Sequence, residues 1–299
     1  MNEAAVTGVL LMAYGTPATP EDIEAYYTHV RRGRPPTAEQ LADLRRRYEA
    51  IGGTSPLLER TQEQAVGIQS ALGDGFRVEL GMKHAPPFIE DGVAAFAEAG
   101  VTRILGLVLA PHYSVLAVGE YAKRAEAAAT EAGVSLTMVS SWHLAPGYLD
   151  LLASFVSDEL HRLGADPVEV VFTAHSLPIR ILDMGDPYPD QLAETAKAVA
   201  DQAGVERWSV GWQSAGRTPE PWIGPDLLEI LPTLVDAGAA GVVVCAAGFV
   251  SDHLEVLYDL DVEARAAAGK LGLAFTRTPS PNAHPDFCTT LAGVVRSHA

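Results

Sequence analysis

The chain contains the same pattern twice. VLLMAYGTP at 9–17 and VVFTAHSLP at 170–178 each close an apolar run with Ala, a ring-bearing residue, two small or apolar residues and Pro, which sets Tyr14 against His175. A second pair, LAPHYSVLAVGEYAKRAEA at 109–127 and AAGFVSDHLEVLYDLDVEA at 246–264, aligns without a gap and matches Ser114 with Ser251, Val118 with Glu255 and Tyr121 with Tyr258. An internal repeat decides the architecture before any single residue does. Each half supplies a strand-end loop and a loop-to-helix junction at the corresponding place. The chain therefore folds as two similar lobes that face one another.

Between these landmarks, short apolar runs alternate with amphipathic stretches. Strands are expected at 7–14, 77–82, 103–110, 135–141, 168–174, 208–213, 241–249 and 272–276. Helices are expected at 20–31, 38–49, 59–72, 87–99, 147–163, 188–203, 226–237 and 283–297, with a further one starting near Asp252. Strands about 30 residues apart with helices between them imply βαβ units, parallel sheets and an α/β fold. We expect a first lobe over 1–140, a second over 141–279, and a C-terminal helix at 280–299 that returns to the first. In such sheets ligands bind beyond the carboxyl ends of the strands. His175 and Glu255 both lie at strand ends of the second lobe, so they can converge on one cleft.

Composition narrows the function. The 299 residues are 48% hydrophobic and 20% charged, and the apolar runs, such as ILGLVLA at 104–110 and GVVVCAAGF at 241–249, fall well short of the roughly 20 residues a membrane helix needs. The acidic start MNEAAVTG lacks a signal-peptide n-region, and a cytoplasmic protein is expected. Two cysteines, Cys245 and Cys288, cannot by themselves ligate an iron–sulfur cluster or form a disulfide scaffold. A net charge of −17 argues against nucleic acid as a partner. Against that acidity, six of the 21 Lys and Arg residues (Arg31, Arg32, Arg34, Arg45, Arg46 and Arg47) crowd into 17 positions. Such a run is either a solvated helix face or a socket for a polyanionic small molecule, because guanidinium groups fork carboxylates.

His175 leaves its strand just before SLP, where an imidazole can accept protons or ligate a borderline metal, or be an ordinary core residue. Glu255, Asp259 and Glu263 recur every four residues, which on an α-helix puts them within roughly 80° of one another. That stripe reads either as an exposed acidic face or as a cation path leading to Glu255. IGGTSPL at 51–57 has no preceding strand and lacks the P-loop pattern, and neither G-x-G-x-x-G after a strand, C-x-x-C nor H-E-x-x-H occurs. Of the other histidines, His112 in APHYS is expected to line the cleft. The Pro-rich QSAGRTPEPWIGPD at 213–226 is expected to be an ordered loop at its rim.

Taken together, LLMAYGTP, YYTHVRRGRPP, RRRYEAIGGTSPL, LAPHYS, FTAHSLP, GDPYPDQL, GWQSAGRTPEPWIGPD and GFVSDHLEVLYDLD, in order from residue 10 to residue 261, resemble the ferrochelatase family, which inserts ferrous iron into porphyrins. The resemblance implies two Rossmann-like lobes with a porphyrin cleft between them. It places the family's catalytic pair on His175 and Glu255, as iron ligands or as acceptors of the pyrrole protons. It places porphyrin contacts on Tyr14, Arg31, Arg47, Tyr48, Ser55 and Tyr121, with Tyr14 axial to the product iron. Asp259 and Glu263 would serve iron delivery or hold a second divalent ion. AYGTP, arginines in place of an apolar lip, and no cysteine-rich extension resemble the branch acting on coproporphyrin III, whose four propionates match an Arg-rich rim. The substrates implied are coproporphyrin III and Fe2+, with no tightly bound cofactor and no iron–sulfur cluster. A monomer touching neighbouring haem-pathway enzymes transiently is expected. Protoporphyrin IX as substrate, a cobalt or nickel chelatase, and a non-catalytic porphyrin carrier are the alternatives.

Overall fold

A computed structural model describes residues 6–216 and 218–299. Its strands form two four-stranded parallel sheets with the same topology. The first is ordered β2-β1-β3-β4, from β1 (Thr7–Ala13), β2 (Phe76–Met82), β3 (Arg103–Val108) and β4 (Ser135–Val139). The second is ordered β6-β5-β7-β8, from β5 (Val168–His175), β6 (Trp208–Gln213), β7 (Gly241–Cys245) and β8 (Ala274–Arg277). In each sheet the first strand in sequence lies between the second and third, so Tyr14 and His175 leave equivalent central strands. The repeat seen in the sequence is thus a repeat of topology.

Central strands in sheets covered on both faces must be apolar throughout rather than alternating. Val9 to Met12 and Val170 to Phe172 are accordingly fully buried. One face of the first sheet packs on α4 (Ile89–Glu98) and α5 (Val118–Ala132) through Ile89, Val93, Phe96, Val118 and Ala125. One face of the second packs on α9 (Leu227–Asp236) and the helix after β7 through Leu227, Ile230, Leu231, Val256 and Leu260. The other faces share one continuous core with α3 (Leu57–Leu72), α6 (Pro146–Leu163), α8 (Tyr188–Ala203) and α12 (Pro285–His298), so both lobes are built around common apolar contacts. Phe287, Leu291 and Val295 seat α12 in that shared core, against α3 and α6.

The lobes also dock reciprocally. The loop after β3 meets α8 and the residues leading into it. The Tyr113 N–H donates to Gln191 Oε1 (2.7 Å), Ser114 Oγ and the Val115 N–H both donate to Asp186 (2.9 and 2.8 Å), and His112 Nε2 meets Thr195 Oγ1 at 2.9 Å. The loop after β7 meets α3 in the mirror-image contact. Fully buried Gln64 donates to the carbonyls of Val250 (3.1 Å) and Asn282 (3.0 Å) and accepts from Ser251 Oγ (3.1 Å). A third bridge is an arm of α1 (Ile23–Val30) and α2 (Ala38–Ala50), whose Ile23 and Tyr48 pack on Leu254 and Tyr258.

One helix departs from expectation. The chain after β7 turns helical at Leu254, not Asp252, with His253 as its cap, and passes from α10 (Leu254–Val256) through a π-helical stretch, Leu257–Ala264, into α11 (Arg265–Lys270). The acidic spacing of four was read on an α-helix, whereas i→i+5 bonding here widens the turn; π-segments of this kind recur at functional sites.

Candidate active site

His175 and Glu255 meet at the carboxyl end of the second sheet, with Nε2 to Oε1 at 3.5 Å and each side chain about two-thirds covered (32% and 33% exposed). His175 Nδ1 contacts the Ser176 carbonyl, which can only accept, so Nδ1 carries a proton and Nε2 is the nitrogen that faces Glu255. Burial alone would push the imidazole down, but the Glu255 carboxylate outweighs it and holds His175 above its usual range. Burial would likewise raise Glu255; His175, His253 and Arg47 pull it down to about 2. The pair is therefore poised as imidazolium and carboxylate, and a dication can replace the proton between the same two atoms.

Several buried groups fix this pair. Gln213, 2% exposed, accepts from Thr173 Oγ1 (2.8 Å) and donates to the Glu255 carbonyl (3.1 Å), which ties the helix carrying Glu255 to β5. Tyr188 Oη donates to the His175 carbonyl (3.0 Å). His253 Nδ1 accepts from the Glu255 N–H (3.1 Å), so its other nitrogen carries the proton. His253 was not among the candidates singled out in the sequence. Its place two positions before Glu255, at a helix start, was the signal available.

The first lobe faces this pair with aromatic groups. Tyr14 is 43% exposed and projects into the cleft, where burial and the Glu255 and Glu120 carboxylates raise its phenol above the usual range. Tyr121 is nearly buried, and Tyr48, 2% exposed, meets Thr16 Oγ1 at 3.3 Å, with burial pushing its phenol up to about 12. Lys83, absent from the sequence-based candidates, lies 5.2 Å from the Tyr121 ring and 6.0 Å from that of Tyr14, and pairs with Glu120. Ser55 is buried and its Oγ accepts from the Leu57 N–H (3.3 Å), so it shapes the turn into α3. Of the 213–226 stretch, Arg217 lies outside the described residues; Trp222 lies 6.2 Å from the His175 ring, and the Ile223 N–H donates to the Leu177 carbonyl (2.9 Å).

The arginines divide. Arg32 pairs with Glu120 (3.2 Å), Arg45 with Glu24 (3.9 Å), Arg46 with Asp43 (2.6 Å) and Arg47 with Asp259. Among the described residues, Arg31 and Arg34 make contacts to each other's carbonyl and have no carboxylate partner. Asp259 also accepts from Ser214 Oγ; burial raises its carboxyl to about 6 although Arg47 opposes this. Glu263 is exposed. Among the described residues no group of three or more His, Cys, Asp or Glu side chains is arranged to hold a metal ion. His175 and Glu255 together offer two donor side chains. His112, expected to line the cleft, instead lies 1% exposed at the lobe interface, where burial lowers its imidazole to about 3.

Two parallel-sheet lobes of this topology define the chelatase fold. SirB from Bacillus subtilis with Fe3+ superposes with a TM-score of 0.60 at 14% identity, covering 98% of this chain and 96% of SirB; CbiX, the terminal enzyme of siroheme biosynthesis in denitrifying bacteria, gives 0.56 at 14%, covering 98% and 99%. Within that architecture, the family model described as ferrochelatase matches residues 6–299, and the chain belongs to the ferrochelatase family. The coproporphyrin III ferrochelatase of Anoxybacillus flavithermus is 48% identical, with 98% of this chain and 96% of that protein covered; the one of Bacillus subtilis is 45% identical, with 96% of each covered.

Proposed function

We propose that this protein inserts ferrous iron into coproporphyrin III, a step of haem biosynthesis, with Fe2+ as substrate. The observation that carries the reading is the His175–Glu255 pair, a base and a carboxylate 3.5 Å apart at the mouth of a two-lobed cleft. Metallation must remove two pyrrole protons while a dication enters, so bases and transient metal ligands belong on one face. As Fe2+ arrives, His175 Nε2 gives its proton to solvent, and the neutral imidazole and the Glu255 carboxylate offer lone pairs to the dication. As iron passes to the ring nitrogens, the two pyrrole protons go one each to His175 Nε2 and Glu255 and from there to solvent. Tyr14 bounds the opposite face, and Tyr48 and Tyr121 support the aromatic wall on that side. Arg31 meets a propionate at the rim, where its guanidinium is not otherwise paired with a carboxylate. The names of the relatives, at 45% identity and above over nearly the whole chain, support coproporphyrin III as the ring.

The test is anaerobic metallation followed by porphyrin absorbance, with coproporphyrin III and protoporphyrin IX compared side by side. Turnover past one equivalent with coproporphyrin preferred is expected. Binding without turnover would make the protein a carrier, and equal rates would remove the preference. His175→Ala should bind porphyrin and not metallate it.

A further inference from the structure

Arg47 is assigned two partners. A substrate propionate would meet it at the rim, yet its guanidinium already pairs with Asp259 and stacks 4.7 Å over the Tyr258 ring. The pairing crosses the cleft, from α2 of the first lobe to the π-helical stretch of the second. It is well covered, with Asp259 side-chain exposure at 8% and that of Arg47 at 23%. Asp259 follows Glu255 by four positions, and the charge of each acts on the other. Arg47 therefore neutralises one carboxylate beside the iron site and sets its own positive charge against an incoming dication.

We propose that Asp259 competes with a propionate of the substrate for Arg47, so that seating the porphyrin releases the Asp259 carboxylate beside Glu255 and strengthens the site's hold on the divalent metal. The proposal rests on the coproporphyrin reading above and adds a coupling to it, by which bound porphyrin and bound metal favour one another. Asp259 is in this role a positioning residue that acts through Arg47. Two carboxylates sharing one guanidinium each hold it less strongly than either alone. When a propionate draws Arg47 away, Asp259 keeps the Ser214 hydroxyl but loses its cation. A buried carboxylate without a counter-charge is costly, and a dication beside Glu255 supplies one. Linkage makes the coupling reciprocal, so bound metal must also favour bound porphyrin. A purely structural clamp predicts the opposite sign, because cutting it would loosen the rim and weaken porphyrin binding.

The experiment measures both directions. Porphyrin affinity is read by fluorescence titration with coproporphyrin III and with its tetramethyl ester, which lacks carboxylates. Asp259→Asn should tighten coproporphyrin III about 3- to 10-fold, the net worth of one typical hydrogen bond. It should leave the ester unchanged and have no effect in an Arg47→Ala background. In the unaltered protein, Mn2+ binding is followed by the loss of its free electron-spin signal, with absorbance confirming an unmetallated ring. Coproporphyrin III should tighten Mn2+ by at least about 5-fold, the lower end of ordinary coupling, and the ester should not. Asp259→Asn weakening coproporphyrin III, tightening both porphyrins alike, or Mn2+ affinity indifferent to porphyrin would each overturn the proposal. A protein that binds neither porphyrin would instead sink the substrate reading on which it rests.

Discussion

Gly248 connects packing to catalysis more directly than any residue in the cleft. It lies in the turn between β7 and Glu255, and its N–H donates to the Thr173 carbonyl (2.9 Å), so this turn is laid flat against β5 just ahead of His175. A Cβ at this position would come within 2.5 Å of Ala174 Cβ and 2.8 Å of Ala174 Cα. Apolar carbons rest at about 3.5–4.0 Å, so Gly248→Ala must open a gap of roughly 1 Å between the strand that carries His175 and the turn that leads to Glu255. Overpacking of this size costs about 1–3 kcal/mol. At about 2–4 °C per kcal/mol for lobes of this size, Tm should fall by roughly 2–12 °C. A displacement of about 1 Å between paired groups can lower turnover on the order of 100-fold. Porphyrin affinity should hold, since the ring is gripped elsewhere. Adding Ala174→Gly removes the nearer clash and should recover part of the turnover. Anaerobic metallation kinetics with a parallel porphyrin titration decide it: wild-type turnover in Gly248→Ala, or a loss confined to porphyrin affinity, refutes the reasoning.

Glu255→Gln should change stability in a pH-dependent way. The stabilisation from Glu255, held down to about 2, is present above the ordinary carboxylate value of about 4.3 and is lost as pH falls through about 2. That from His175, held above its usual range, is full below about 6.5 and fades as pH rises past the raised value. The Tm difference between wild type and variant should thus peak between these limits, and a difference independent of pH would remove the pair's electrostatic role. Arg31→Ala should weaken coproporphyrin III by about 1–3 kcal/mol, less where water screens the rim, and affect a two-propionate ring less. That preference should shrink as salt rises; equal losses for both rings at every salt concentration would make Arg31 a solvated residue only. Gln64→Leu strands two carbonyls and the Ser251 hydroxyl between the lobes, each at about 1–3 kcal/mol, so denaturant unfolding should shift to lower midpoint, and an unchanged midpoint would show the interface does not need it.

The duplicated architecture was legible because period and repeat are properties of sequence. All eight strands lie within a few residues of where hydrophobic runs put them, and Tyr14 and His175 leave equivalent strands. That His175 and Glu255 could converge was legible for the same reason, since both follow strands of the second lobe. What the sequence did not reveal was anything fixed by partners distant in the chain. Arg47 looks like one of six rim arginines until Asp259, 212 residues away, is seen to hold it. His112 looks like a cleft residue until Thr195 covers it. The π-helical turn left no mark because a spacing of four reads as α-helical, and Lys83 followed an ordinary strand with no motif around it.

The reciprocal docking of the lobes has an evolutionary corollary. A chain consisting of one lobe would have to pair with a copy of itself, the post-β3 loop of each resting on the pre-β2 helix of the other. A two-fold axis through such a cleft would force the same side chain onto both faces. Joining the lobes in one chain lifts that constraint while the shared core and the mirrored loops keep the old approximate symmetry. At one strand end the position could become a phenol, Tyr14, and at the other an imidazole, His175; likewise Val118 and Glu255 occupy matched places with opposed chemistry. An entering cation needs such a polarity, a face with bases and a face without, and asymmetry of this kind is open to a fused pair and closed to a symmetric one.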